Sequence, residues 1–394
     1  MNKDSTETAS LKPLASAASE LPLSGIRKFF DLASSMEDVI SLGVGEPDFS
    51  TPWVARETAI YSIERGQTTY TANQGLLELR EEIDKRYQRL YEISYNPVSE
   101  ILVTVGASQA LDLACRALLN PGDEVLLPEP CFVAYKPIVL LAGGIPKTIE
   151  TDHKSGFDFS ISSLEAKVTS KTKAILIGHP SNPTGASIDR ALLAELVKFA
   201  EKHHLYIISD EIYDRLSYDR DHNCVATLPG ARERTIVING FSKTYAMTGW
   251  RLGYALAPSS IIEVMTRIHS HTMMCAPTPS QKAAVAILKN GDQYVQDMVT
   301  QYKQRRNLIV DGLNKIGLDC HLPAGAFYAF PSIVSTGLSS EEFAQRLLME
   351  QRVALVPGTV FGASGEGHVR CSYATSTRNI EAALERMGSF FKSL

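Results

Sequence analysis

No apolar run in the 394 residues approaches the length a bilayer crossing needs. The opening residues, MNKDSTETAS, lack the basic stretch followed by an apolar one that marks a secretory leader, so the expectation is a cytoplasmic protein. Six cysteines (Cys115, Cys131, Cys224, Cys275, Cys320 and Cys371) form no CxxC and have no His-x-x-His beside them. Neither a zinc site nor a disulfide framework is indicated, and reduced, mostly buried thiols are expected. There is no basic excess to argue for nucleic acid: the formal net charge is −5. Internal repeats and low-complexity tracts are also missing. No GxxxxGK[ST] loop occurs, and the glycines of LGVGEPDF and of GASGEG near residue 365 do not join a strand to a helix in GxGxxG spacing. Phosphate-loop hydrolases and dinucleotide binders therefore find no support.

What is present is the texture of an ordinary globular protein, 44% hydrophobic and 21% charged, long enough for one large core and a smaller second domain. Short apolar runs, ILVTV (101–105), EVLLP (124–128), KAILIG (173–178), LYIIS (205–209), TIVIN (235–239) and LGYALA (252–257), alternate with helix-length segments. Bounded by Gly, Pro or Asp, they read as strands buried on both faces of a mostly parallel sheet. Between them, ASQALDLACRALL (107–119) and RALLAELVKFAEKHH (190–204) space apolar residues three and four apart, as amphipathic helices do. The fold class is α/β, a large domain with a parallel sheet wrapped by helices. Beyond Val285 a long polar helix pattern, then the alternating AFYAFPSI and VRCSYA and a closing helix, predict a smaller α+β domain. The expected division is 47–285 for the large domain, with 1–46 and 286–394 forming the small one.

Ligands of open α/β sheets bind beyond the carboxyl ends of the strands, and the residues at that end of each run here are unusually polar. Gly106-Ala107-Ser108 opens a helix whose first free N–H groups would hold a phosphate. PEPCFVAY presents Phe132 and Tyr135, His179-Pro180-Ser181-Asn182 crowds polar groups at a turn, and Asp210-Glu211 closes the fourth run. An acidic pair there also suits magnesium in a nucleotide hydrolase, but the loop that rival requires is missing. Ser242-Lys243 comes after 235–239, with Arg251 eight positions later. A lone lysine after a strand is ordinarily solvated. Together, however, these groups suit a planar aromatic carrying a phosphate, a ring nitrogen and an aldehyde. Pyridoxal phosphate needs a lysine amine, a carboxylate near its ring nitrogen, phosphate donors and a flat neighbour. Lys243, Asp210, the Gly106 helix start, Ser242, Arg251 and Phe132 supply these.

The chain resembles the class I/II pyridoxal-phosphate aminotransferases of fold type I, in the aspartate, aromatic and acyl-diaminopimelate subgroup. The resemblance runs in order through LGVGEPDFSTP (42–52), YTANQGLLELR (70–80), TVGASQAL (104–111), NPGDEVLLPEPCFVAY (120–135), HPSNPTGA (179–186), SDEIYDRLSY (209–218), SKTYAMTGWRLGY (242–254), PAGAFYAFPSI (323–333), VALVPGTVFG (353–362) and HVRCSYATS (368–376). It implies that Lys243 is the Schiff-base lysine and Asp210 the partner of the ring nitrogen. Asn182 and Tyr213 would bond the ring's phenolic oxygen, and Phe132, where the family usually has Trp or Tyr, would stack on the ring. Phosphate would be held by the backbone of Ala107 and Ser108, by Ser242 and Arg251, and by Tyr70 from the second subunit of a homodimer. Arg370 would grip the substrate α-carboxylate, helped by Gly45 and Asn182. His179 is expected to be a satisfied structural histidine or to lie beneath the cofactor.

The implied activity is transamination between an L-amino acid and a 2-oxo acid, 2-oxoglutarate by family habit, with ping-pong kinetics and Lys243 moving the α-proton. A β-lyase or decarboxylase of the same fold is the first rival, since the choice of bond at Cα leaves little trace in sequence. A non-enzymatic ligand-sensing regulator is the second, but the first ~45 residues are too short and too neutral for a DNA-binding domain. Donor specificity is pulled two ways. Arg27 in SGIRKFF would meet a distal carboxylate, and Met273 and Met274 in HSHTMMCAP would suit a bulky apolar group.

Overall fold

The computed structural model describes residues 12–19, 21 and 36–394. Seven strands form the central sheet: β1 (Ile101–Thr104), β2 (Glu124–Glu129), β3 (Ile145–Glu150), β4 (Thr172–Gly178), β5 (Tyr206–Asp210), β6 (Thr235–Gly240) and β7 (Gly253–Leu256). Their order is β1-β7-β6-β5-β4-β2-β3. Six of the seven are the apolar runs read from sequence. The seventh, β3, is IPKTIE, a half-exposed edge strand whose polar residues conceal it from a hydrophobicity reading. The run LGYALA becomes β7 but pairs antiparallel with both β1 and β6. The remaining neighbours are parallel. Every residue of β6 is buried, as a strand flanked and covered on all sides must be.

Helices cover both faces of the sheet. Among them α1 (Trp53–Glu64), α2 (Leu77–Tyr91), α3 (Gly106–Leu118) and α4 (Arg190–Lys202) lie in the first half, with α5 (Ser259–Thr272) and α6 (Thr278–Asn290) after β7. Local chemistry sets their starts. The Asp189 side chain caps α4 by accepting the Leu192 N–H at 2.7 Å, an arrangement worth about 1 kcal/mol. The buried residues of α3 (Ala110, Leu111, Leu113, Ala114, Leu118) recur at helical spacing and pack against Leu102, Ile236 and Ala255 of the sheet.

The last third builds around α7 (Asp292–Lys315), α8 (Ser340–Gln351) and α9 (Thr377–Lys392), with a three-stranded antiparallel sheet of β8 (Tyr328–Ala329), β9 (Val356–Pro357) and β10 (Val369–Ser372). A separate core serves this part, including Ile309, Leu313, Phe327, Phe343, Leu347 and Phe390. Residues before α1 join it: Ile40–Ser41 pairs in parallel with Val353–Ala354, and the Ser372 N–H donates to the Leu42 carbonyl at 2.6 Å. That pairing draws the segment 43–46 across the carboxyl ends of the central strands. Five of the six cysteines are buried, Cys275 is half-buried, and all are free thiols. No helix among the described residues is long and apolar enough to cross a membrane.

Candidate active site

The carboxyl ends of β1, β4, β5 and β6 open onto one cavity of about 340 Å³, roofed by residues 43–46 and closed laterally by Tyr328 and Arg370 of the C-terminal part. Lys243, Asp210, Asn182, Tyr213, Phe132, Ser242, Arg251, Ala107, Ser108, Gly45 and Arg370 all line it. Sequence segments up to 327 positions apart meet here; the Arg370 Nη2 bond to the Gly43 carbonyl, at 2.6 Å, spans that distance.

The lysine that succeeds β6 is turned inward. Its Nζ donates to the Gly45 carbonyl at 2.5 Å and lies 6.0 Å from the centre of the Tyr213 ring. Burial lowers its pKa, and the positive charges of Arg370 and Arg251 add to the effect. Glu46 and Asp210 oppose them, and the result is about 8. Asp210 terminates β5, 6% exposed. Its Oδ2 accepts the Tyr135 hydroxyl at 2.8 Å and its Oδ1 the Ile212 N–H at 3.2 Å. Burial raises its pKa to about 6, against the pull of those hydrogen bonds and of Lys243. A carboxylate fixed from two sides and short of a counter-charge can stabilise a cationic group placed before it.

At the opposite end lies an anion cradle. Gly106 has φ +78°, and a Cβ there would come within 2.8 Å of Arg251 Nη2. The guanidinium therefore lies directly against the start of α3, beside the Ala107 and Ser108 backbone. Arg251 is itself held by the Thr248 carbonyl at 3.0 Å, and the Thr248 hydroxyl donates to Glu46 at 3.0 Å. Ser242 adds a hydroxyl to the same cavity.

Arg370 is 2% exposed, and among the described residues no carboxylate pairs with it. Its Nη1 donates to Asn182 Oδ1 at 2.9 Å, its charge lies 4.5 Å from the centre of the Tyr328 ring and 4.9 Å from that of Phe361, and its Nε has no partner. A buried, aimed guanidinium of this kind is a ready receptor for a carboxylate. Gly45 allows the approach: a Cβ there would reach 2.8 Å from the Tyr328 hydroxyl. Tyr213 and Tyr328 share a hydroxyl–hydroxyl bond of 2.8 Å; burial and then that neighbour hold the Tyr213 phenol well above its usual range, so it is a proton donor.

Two expected site residues stand elsewhere. Gly106 lies just behind the lining, and Tyr70 is 78% exposed on the outer surface, away from its own chain's cavity. Met273 and Met274 are exposed as well, and Arg27 lies outside the described residues. The expectation of a satisfied His179 is corrected: the ring is wholly buried, neither nitrogen has a partner among the described residues, and the His222 ring lies tilted against it at 4.7 Å. Residue reasoning missed the roles of Tyr328, Glu46 and Thr248, and named Tyr135 only as an aromatic. Neither Tyr135 in FVAY nor Tyr328 in AFYAF carries a local signal that separates a packing ring from a hydrogen-bonding one.

The chain matches the family described as Aminotransferase class I and II over residues 37–387. It is 56% identical over 377 residues to a Bacillus subtilis (strain 168) protein described as putative aminotransferase YugH, covering 96% of this chain and 98% of that one. It is 47% identical to an aspartate aminotransferase of Pyrococcus abyssi, over 92% and 94% of the two chains. Among solved structures, the aromatic aminotransferase of Pyrococcus horikoshii superposes with a TM-score of 0.89 at 45% identity, covering 93% of this chain and 99% of that one.

Proposed function

Because the chain belongs to the class I and II aminotransferases and is an enzyme of that kind, we propose that it holds pyridoxal phosphate in the cavity between the two cores and uses Lys243 to move the proton. The cofactor reading is supported by fit. The cavity has an anion cradle at Gly106, Ala107, Ser108, Ser242 and Arg251, a buried carboxylate at Asp210, a flat ring at Phe132 and a deprotonatable amine at Lys243. When bound, this cofactor supplies an aldehyde to receive the amino group and a ring to take up electrons from Cα.

The rest of the work falls to the chain. Asp210, fixed by Tyr135, holds the positive charge of a ring nitrogen. Asn182 and Tyr213 orient the ring's phenolic oxygen, and Phe132 keeps the ring plane. Arg370 takes the α-carboxylate of the amino acid, with Asn182 and Gly45 beside it, and so turns Cα toward the lysine. Lys243, with its pKa near 8, is substantially neutral in mildly alkaline solution and can accept the Cα proton at Nζ and return it on the far side of the transfer. The acceptor is a 2-oxo acid, which 2-oxoglutarate would satisfy.

The small domain of this reading comprises 1–46 and 286–394 and the large domain 47–285; the separate core around α7, α8 and α9, joined by Ile40–Ser41, supports it. We place the enzyme in the cytoplasm as a homodimer in which Tyr70 completes the partner's phosphate cradle. Its 78% exposure supports that assignment.

The observation that carries the proposal is the meeting of Lys243, Asp210 and Arg370 in one cavity. Its test is titration of purified, cofactor-loaded protein with single amino acids and no acceptor, monitored by absorption. Conversion of the cofactor to its amino form by the wild type, and none by Lys243→Ala of unchanged circular dichroism, is the expected result. Conversion by Lys243→Ala at a comparable rate would remove Lys243 from its role.

A further inference from the structure

The residue after Asp210 is a second carboxylate. Glu211 follows directly on the end of β5, its N–H donating to the Ile238 carbonyl at 2.8 Å, and it is not part of the lining to which Asp210 belongs. Glu211 is fully buried. Its Oε1 accepts the Ser209 hydroxyl at 2.9 Å and the Val225 N–H at 3.1 Å, and its Oε2 accepts from His222 Nε2 at 2.8 Å. Burial opposes its charge, yet the imidazole of His222 and these donors together hold it below the usual carboxylate range. His179 completes the group. Its ring lies 4.7 Å from that of His222 at 32°, and its backbone N–H donates to the Asp210 carbonyl at 3.1 Å. Burial, then His222, depress His179 to about 3, so this ring is neutral.

The ligand atoms of His179, Glu211 and His222 lie within 4.8 Å of one another. Facing rings do not converge on a common point, however, and both Glu211 oxygens are already engaged, which argues against a metal ion. Other ionisable groups around the set include Asp214, bridged to Arg86 at 2.5 Å, together with Arg220, Cys224, Tyr91 and Tyr95. On the cavity side Asp210 faces Lys243, Tyr135 and Tyr213.

We propose that Glu211, buried behind Asp210 and tied to Ser209, Val225 and His222, is a positioning residue: its negative field tightens the grip of Asp210 on a proton or a protonated ring nitrogen. Its bearing on turnover rests on the reading of Asp210 given above; the coupling between the two carboxylates does not. A like charge one residue away in a dry interior acts at short range with little screening.

The test is the ¹³C titration of the Asp210 carboxyl in the full-length chain before cofactor is added, with its resonance assigned by Asp210→Asn. The wild-type midpoint is expected at about 6. Glu211→Gln, which removes the anion, should lower it by roughly 0.5–1 unit, whereas Glu211→Asp, which keeps a carboxylate at that position, should leave it nearly in place. A fall confined to Glu211→Gln establishes the coupling, because loosened packing alone would move both variants. Equal falls in the two variants, or a midpoint unmoved in folded Glu211→Gln, would overturn it. If Glu211→Gln does not fold, His222→Gln takes its place: a rise of the Glu211 midpoint together with a fall at Asp210 supports the proposal, and an unmoved Asp210 sinks it. Should the shifts appear while loaded Asp210→Asn transaminates like wild type, the coupling stands and the role given to Asp210 falls.

Discussion

Lys243 and Asp210 both have pKa values moved from the ordinary ones, in directions that suit a lysine base and a carboxylate that burial leaves short of counter-charge. A neutral amine is needed to attack an aldehyde, so uptake of pyridoxal phosphate by the empty chain should accelerate as pH rises, with a midpoint near 8. Stopped-flow absorbance across pH 6–10 would show this; a midpoint near the ordinary lysine value would mean that burial is not felt at Nζ. Asp210 makes a stability prediction. Its pKa rises from 3.8 to about 6 on folding, so the folded chain binds that proton more tightly than the unfolded one. The resulting deficit is absent below about pH 4, grows as pH climbs toward 6 and is complete above, at about 3 kcal/mol. Asp210→Asn should therefore raise the thermal midpoint of the cofactor-free protein at pH 7.5 by roughly 2–5 °C. That gain should vanish near pH 4, and calorimetry at the two pH values would check both. These residue types were legible in the sequence. The Tyr135 hydrogen bond that fixes Asp210 was not, since nothing in FVAY distinguishes a packing tyrosine from a donor.

At the scale of elements, the junction of β1 with α3 depends on a single glycine. Gly106 takes a positive φ so that the chain can turn sharply into the helix, and its missing Cβ leaves the space that Arg251 Nη2 fills. Gly106→Ala should displace the guanidinium and weaken phosphate binding, raising the Kd for pyridoxal phosphate about tenfold, or about 1.4 kcal/mol. Binding of pyridoxal, which carries no phosphate, should change far less, and equilibrium dialysis of the two ligands separates the effects. Six strands of the sheet were readable because burial on both faces forces continuous apolar runs, and β3 was not because an edge strand is freed from that demand. The antiparallel direction of β7 was equally hidden: the same buried run serves either direction, and the connection decides.

Across the whole molecule, α1 carries four large exposed apolar residues, Trp53, Ile60, Tyr61 and Ile63, and Tyr70 stands 78% exposed. If Tyr70 serves the partner's cavity, Lys243→Ala and Tyr70→Ala subunits, each poorly active alone, should recover on mixing. Each hybrid dimer then holds one intact site, and an equal mixture should reach about a quarter of wild-type activity. No recovery in hybrids verified by mass spectrometry would confine Tyr70 to its own chain. The sequence by itself determined the α/β class, the sheet's buried strands and the chemical types at their carboxyl ends, because hydrophobic periodicity and turn chemistry are local properties of the chain. Only the tertiary structure decided which of those groups meet. The contacts that make the site, Lys243 with Gly45, Arg370 with Gly43 and Asn182, and Tyr213 with Tyr328, join residues separated by 115 to 327 positions. The desolvation that shifts Lys243 and Asp210 arises only when those distant segments close over them and exclude water.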